Sequence, residues 1–147
     1  MNKFFMRRAI EEAELAYKLN EVPVGAVIVK DNKIISAAHN LREILKDPTA
    51  HAEMLAIKKA SEVLNDWRLN GCEMYVTLEP CPMCAGAIVQ SRIRRLYIGT
   101  FDPVSGCCGS VANIVQNQGL NSMIDVIWMY NEECSDMLKE FFREKRR

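Results

Sequence analysis

His51, Cys81 and Cys84 are the residues of this sequence best suited to chemistry, and Glu53 stands two positions past the histidine. One imidazole and two thiols suit a tetrahedral zinc ion and leave its fourth position open. Water in that position has its pKa lowered from about 15.7 towards about 7. Glu53 is then a spare carboxylate placed to move protons. By itself, Cys81-Pro82-Met83-Cys84 also fits a redox motif or half of a structural zinc ribbon. A ribbon needs four closed ligands, and the sequence has no second Cys-x-x-Cys. A redox pair would need neither His51 nor Glu53. Taken together, the residues favour a catalytic zinc centre.

The elements that must hold these residues follow from periodicity. Met6, Ala9, Ile10, Ala13, Ala16 and Tyr17 recur at helical steps, which predicts a helix over about Lys3 to Asn20, stopped at Glu21-Val22-Pro23. Val24 to Val29 and Lys33 to Ala38 read as strands joined by a tight Asp31-Asn32 turn. Gly25 marks a close backbone approach. Asp47-Pro48 reads as a helix opening, with the helix running from about Thr49 to Leu64 and burying Ala52, Leu55, Ala56, Ala60 and Val63. His51 would lie in its first turn. A strand at Glu73 to Thr77 leads to a helix from Pro82 to about Ser91, with Pro82 at a first-turn position.

Arg95 to Gly99 and Asp125 to Met129 read as strands, Val111 to Val115 as a short helical turn, and Asn131 to Arg143 as a final helix. Five strands with interleaved helices imply an α/β layered domain, here taken as one domain over residues 1–147. Cys81 and Cys84 fall on one side of a helix start, one turn apart, and His51 opens another. Two converging helix starts favour thiolate and other negative charge.

Bulk properties bound the remainder. A chain of 147 residues, 49% hydrophobic and 26% charged, can bury a sizeable core. No apolar run approaches the roughly 20 residues needed to span a bilayer, so no membrane association is expected. Met1 to Leu19 carries Arg7, Arg8, Glu11, Glu12 and Glu14 and lacks a secretory apolar region, so the cytoplasm is expected. The six cysteines are then expected reduced. Cys72 and Cys134 read as core residues, and His39 as structural. Cys107-Cys108 is not expected to be a second metal or redox site. Net charge is zero, yet Lys139 to Arg147 holds five basic and two acidic side chains, and Arg92, Arg94 and Arg95 form another basic cluster. Taken alone, each reads as a solvated helix end.

His-x-Glu followed by Pro-Cys-x-x-Cys is the general signature of zinc nucleobase deaminases, tRNA adenosine deaminases among them. The stretches Val22-Pro23-Val24-Gly25-Ala26-Val27, Asp47-Pro48-Thr49-Ala50-His51-Ala52-Glu53 and Tyr75 through Ala87 extend the likeness. Ser91-Arg92-Ile93 and Phe141-Phe142-Arg143 carry it to the end of the chain. The sequence thus resembles the bacterial tRNA-specific adenosine deaminase family. That resemblance implies a three-layer α/β/α cytidine-deaminase-like fold with a five-stranded mixed sheet. It also implies a homodimer that converts the wobble adenosine of a tRNA anticodon to inosine. It makes His51, Cys81 and Cys84 ligands of one zinc ion per subunit, and Glu53 the proton shuttle. Asn40 matches a residue that hydrogen-bonds the target base. Val24, Ala52, Leu78 and Pro80 match positions around the base pocket, and Asp102 an acidic loop position beside the nucleotide. Phe142 and Arg143 match RNA contacts. Val104 departs from the pattern, standing where one family member has a basic residue, and Cys107-Cys108 replaces two alanines.

The expected chemistry is hydrolytic deamination: zinc-bound hydroxide attacks C6 while Glu53 relays the protons. A target nucleotide must leave its stack to be reached, at a cost of about a few kcal/mol that a single-stranded anticodon loop keeps low. The basic C-terminal helix then acquires a use in phosphate contact and stacking. The competing enzyme reading is a free nucleobase deaminase, for example of guanine. From another class, the chain could be a non-catalytic zinc-binding or RNA-binding module, against which the spare carboxylate of Glu53 argues.

Overall fold

A computed structural model of the chain describes residues 1–145; Arg146 and Arg147, the last two cations of the basic C-terminal cluster, lie outside the described residues. The first amphipathic pattern forms α1 (Asn2–Lys18), whose stripe of Phe5, Met6, Ala9, Ile10, Ala13 and Ala16 is buried. A hairpin follows, β1 (Gly25–Lys30) and β2 (Lys33–His39). Its turn residues Asp31 and Asn32 both take positive φ, 51° and 61°, which matches the twist of the flanking strands. Then come α2 (Ala52–Leu64), β3 (Cys72–Leu78), α3 (Pro82–Gln90) and β4 (Arg95–Thr100). A small ribbon of β5 (Gln116–Asn117) and β6 (Ser122–Met123) precedes β7 (Asp125–Trp128) and α4 (Glu132–Lys145).

The main sheet has five strands in the order β2-β1-β3-β4-β7, as expected for the mixed sheet. β1 is antiparallel to β2 and β3, whereas β3, β4 and β7 run parallel. Alternation along β1 divides the core. Ala26 and Ile28 join a cluster with Ala56 and Ala60 of α2 and Ile88 of α3. Val27 and Val29 join Phe5, Met6 and Ile10 of α1 on the other face. Helices therefore cover both faces, giving three layers. Gly25 is where α1 touches the sheet: a Cβ there would strike the Ala9 carbonyl oxygen and lie 2.6 Å from the Ala13 nitrogen.

Strand polarity brings the working segments together. β3 and β4 end side by side, with Leu78 paired to Thr100, so the segments leaving them emerge at one edge. β1 begins at that edge, and the Gly25 N–H donates to Thr77 Oγ1 at 3.1 Å. Ligands of open α/β sheets bind at such carboxyl ends.

Several local expectations are corrected. α2 starts at Ala52 and not Thr49, because Asp47 spends its side chain on a turn: its Oδ1 accepts from Thr49 N–H at 2.8 Å and from Thr49 Oγ1 at 2.7 Å. Val63 is not buried but 61% exposed, since it faces solvent in the last turn of α2. Val111 to Val115 is not helical. The Val111 N–H reaches back to the Gly106 carbonyl and the Ile114 N–H to that of Cys107, folding the segment into a bridged loop.

Candidate active site

His51 and Cys81 each cap a helix. His51 precedes α2 with φ −77° and ψ 154°, and Cys81 precedes α3 with φ −73° and ψ 176°. Their carbonyls accept the first helical bonds, from Leu55 N–H at 3.0 Å and Ala85 N–H at 2.8 Å. His51 therefore stands one step outside the first turn in which the sequence placed it. The consequence is the same: both residues sit against unpaired backbone N–H groups and the positive end of a helix. Cys84 lies one turn into α3 and is fully buried.

His51 Nδ1 lies 3.7 Å from Cys81 Sγ and 3.6 Å from Cys84 Sγ, and the three donor atoms fall within 4.8 Å of one another. Tetrahedral bonds of about 2.05 Å to nitrogen and about 2.3 Å to sulfur would separate those atoms by about 3.5 Å. The donor set and its spacing fit zinc. Hydrogen bonding from Cys84, with that from His51, draws the Cys81 thiol down to about 4. Hydrogen bonding with Cys81 and then burial push Cys84 up, and the bond to Cys81 raises His51. Glu53, in the first turn of α2, is only 4% exposed, and desolvation pushes its carboxyl up to about 7. A carboxyl with that affinity can both take and give a proton at neutral pH.

His51, Cys81 and Glu53 line the floor of a cavity of about 110 Å³, whereas the fully buried Cys84 is not among its lining residues. Val24, Ala52 and Leu78 supply apolar wall, and Asn40 and Asp102 polar wall. Pro80 is buried but does not line the cavity; its carbonyl accepts from Cys107 N–H at 2.9 Å. Asn40 is 7% exposed and its amide is oriented by two partners: Nδ2 donates to the Val22 carbonyl at 3.3 Å, and Oδ1 accepts from Arg42 N–H at 3.1 Å. Asp102 uses its carboxylate within its own loop, accepting from Val104 N–H at 2.9 Å, Ser105 N–H at 3.2 Å and Ser105 Oγ at 3.0 Å.

Phe142 lies outside this cavity. It lines a neighbouring groove of about 380 Å³ with Phe101, Pro103 and Lys139, and Leu78 and Asp102 belong to both spaces. Arg143 lies one residue further along α4, 3.6 Å from Glu140. His39 is structural, with Nδ1 2.9 Å from Glu12 Oε1. All six cysteines are free thiols; Cys72 and Cys134 are core residues, and Cys107 and Cys108 are buried.

Sequence reasoning missed Val22, Arg42, Ser105 and Glu79, which also line the cavity. Val22 and Arg42 could have been inferred from their place beside Val24 and Asn40 in the chain. Glu79 could likewise have been inferred from its place between Leu78 and Pro80, whereas Ser105 carried no comparable signal, because its placement depends on how a long loop folds back.

Residues 1–100 match the family described as the cytidine and deoxycytidylate deaminase zinc-binding region. Over 147 residues the chain is 48% identical to the tRNA-specific adenosine deaminase of Bacillus subtilis (strain 168), covering 99% of this chain and 91% of that one. It also resembles a solved structure from biochemical and structural studies of A-to-I editing by tRNA:A34 deaminases at the wobble position of transfer RNA. There the identity is 42% and the TM-score 0.89, covering 92% of this chain and 99% of that one. A guanine deaminase structure from Bacillus subtilis is 40% identical with a TM-score of 0.66, covering 69% of this chain and 65% of that one.

Proposed function

The chain belongs to the tRNA-specific adenosine deaminases, within the cytidine and deoxycytidylate deaminase family, and we propose that it converts adenosine to inosine at the wobble position of a tRNA anticodon. The observation that carries this reading is the His51, Cys81 and Cys84 donor triad beside one buried carboxylate, at the floor of a cavity with an oriented amide. Zinc is the cofactor, one ion per subunit. His51 Nδ1 and the two sulfurs would hold it, and when bound it supplies Lewis acidity that activates water near neutral pH.

The chain's own residues do the rest. Glu53 takes a proton from the attacking water and delivers it to the ring nitrogen beside C6. It then carries the second proton to the amino group, the C6–N bond breaks, and ammonia leaves. Burial suits Glu53 to both transfers, since its affinity lies close to neutrality. Asn40 orients the base through the amide capacity that Val22 and Arg42 leave free. Val24, Ala52 and Leu78 pack against the ring, Pro80 backs the wall, and Asp102 stands beside the nucleotide. A cavity this narrow takes one base and not a duplex, so the target is extruded from its loop. Phe142 and Arg143, on the rim, contact the RNA beside it.

We read residues 1–147 as a single deaminase domain, acting as a homodimer in the cytoplasm. Among the described residues no helix is long and apolar enough to cross a membrane. The likeness to a guanine deaminase keeps one alternative substrate in view. Incubating the zinc-loaded protein with an anticodon stem-loop RNA bearing a wobble adenosine, beside free guanine, adenine and cytidine, decides between them. Inosine in the RNA is the expected product; ammonia from guanine with unchanged RNA would reverse the reading.

A further inference from the structure

Glu79 is 2% exposed, and among the described residues its carboxylate is met by loop hydrogen-bond donors and by no cation. A buried, unpaired carboxylate is costly unless hydrogen bonds take the place of water. Glu79 has four donors at hydrogen-bond distance: Asp102 N–H at 2.9 Å and Ser110 Oγ at 2.5 Å on Oε1, Cys108 N–H at 3.0 Å and Ser110 N–H at 3.1 Å on Oε2. Every one belongs to the loop between β4 and the β5–β6 ribbon. The carboxylate thus ties the two ends of the Asp102–Ser110 segment to one point. Gly106 packs directly on it, where a Cβ would collide with the Glu79 carboxyl group.

The same loop is laced to the segment that carries Cys81. The Glu79 N–H donates to the Thr100 carbonyl at 2.9 Å, and the Cys107 N–H donates to the Pro80 carbonyl at 2.9 Å. The outer side of the loop has little to hold it: Phe101 is 53% exposed and Val104 84%. Its inner side, Asp102 and Ser105, lines the cavity. A hydrophobic side chain at 79 could fill the space but could not satisfy the backbone N–H at the loop's start and the two at its return.

We propose that Glu79 is a positioning residue for substrate: its carboxylate clamps the Asp102–Ser110 loop, setting one wall of the base cleft against the Cys81 segment. The proposal rests on the reading above that this cleft takes the target base. It predicts a KM effect, because the loop borders the base and carries neither Glu53 nor a zinc ligand.

The test is Glu79→Gln in the zinc-loaded, full-length protein. The amide keeps one oxygen but turns an NH2 towards two of the donors, leaving them unsatisfied. KM for the stem-loop RNA should rise about tenfold or more with kcat within about threefold, and zinc content should be unchanged. Without any substrate, the amides of Asp102, Cys108 and Ser110 should exchange hydrogen about tenfold faster or more, while β1 and β3 keep their protection. Ser110→Ala removes only the hydroxyl donor and should move the same two readouts in the same direction by about threefold. It carries the test if Glu79→Gln does not fold. Wild-type KM and exchange in the variants would overturn the clamp, as would loss of zinc accompanying the KM change. Absence of inosine from the wild-type reaction would refute the assigned substrate instead, leaving the exchange measurement to decide the clamp.

Discussion

Glu53 and Glu79 are buried carboxylates of one site, 4% and 2% exposed, and their surroundings set them to opposite uses. Burial pushes Glu53 up to about 7, which leaves it able to exchange a proton. Glu79 is surrounded by loop donors and serves as a fixed acceptor. The contrast extends to the regions they belong to. The floor, with His51, Cys81, Cys84 and Glu53, is built on two helix starts packed beneath the sheet edge. The rim, with the Asp102–Ser110 loop and the Phe142 end of α4, presents exposed side chains at Pro103, Val104 and Ser105, while the loop's return is anchored by buried Cys107 and Cys108. Floor and rim therefore answer to different measurements, chemistry in one and RNA engagement in the other.

The largest expected effect is at the floor. Cys84→Ala should lower bound zinc well below one ion per chain and reduce deamination to background with any base offered, as metal analysis beside an ammonia assay would show. Retained zinc and turnover would dissolve the distinction between the regions. Asn40→Ala should cut kcat/KM by about 10–100-fold with zinc intact, since an oriented amide in a closed cavity is lost. Phe142→Ala tests the rim: KM for stem-loop RNA should rise about 5–10-fold with kcat held, the loss of one stacking surface. A fall in kcat alone would move Phe142 from rim to floor.

The smallest effect lies away from both regions. Arg7 grips Glu133 with two hydrogen bonds, of 2.8 and 2.6 Å, joining α1 to α4. Both side chains are about half exposed, so a double-mutant cycle on unfolding should return about 0.2–1 kcal/mol. The bond to Arg7 holds the Glu133 carboxyl below its ordinary value. That contribution is consequently present above the unfolded-state pKa and lost as pH falls through the depressed folded one. Turnover should not change.

What could be read from the sequence divides along the same line. The floor was legible because its residues are spaced by helix geometry: Cys81 and Cys84 one turn apart, Pro82 at a helix start, Glu53 two past His51. β-branched runs gave the strands to within a residue or two. Asp47-Pro48 misled, since the aspartate side chain was free to bond the Thr49 backbone in a turn of its own, and α2 began three residues later. Val63 fitted the apolar period of α2 yet faces solvent, because in that last turn it is Leu64 that packs against the core. The rim was hidden for a different reason. Glu79 meets its partners through backbone N–H groups, which every residue but proline possesses, so no residue pattern marks Asp102, Cys108 and Ser110 as its donors.

The central claim is that a zinc-held floor performs the reaction with Glu53 moving the protons. Zinc content and inosine formation measured together on Glu53→Ala test it most directly. Zinc should stay near one per chain while the rate on stem-loop RNA falls about 10³-fold or more. A variant with full zinc and a near-normal rate would contradict the account.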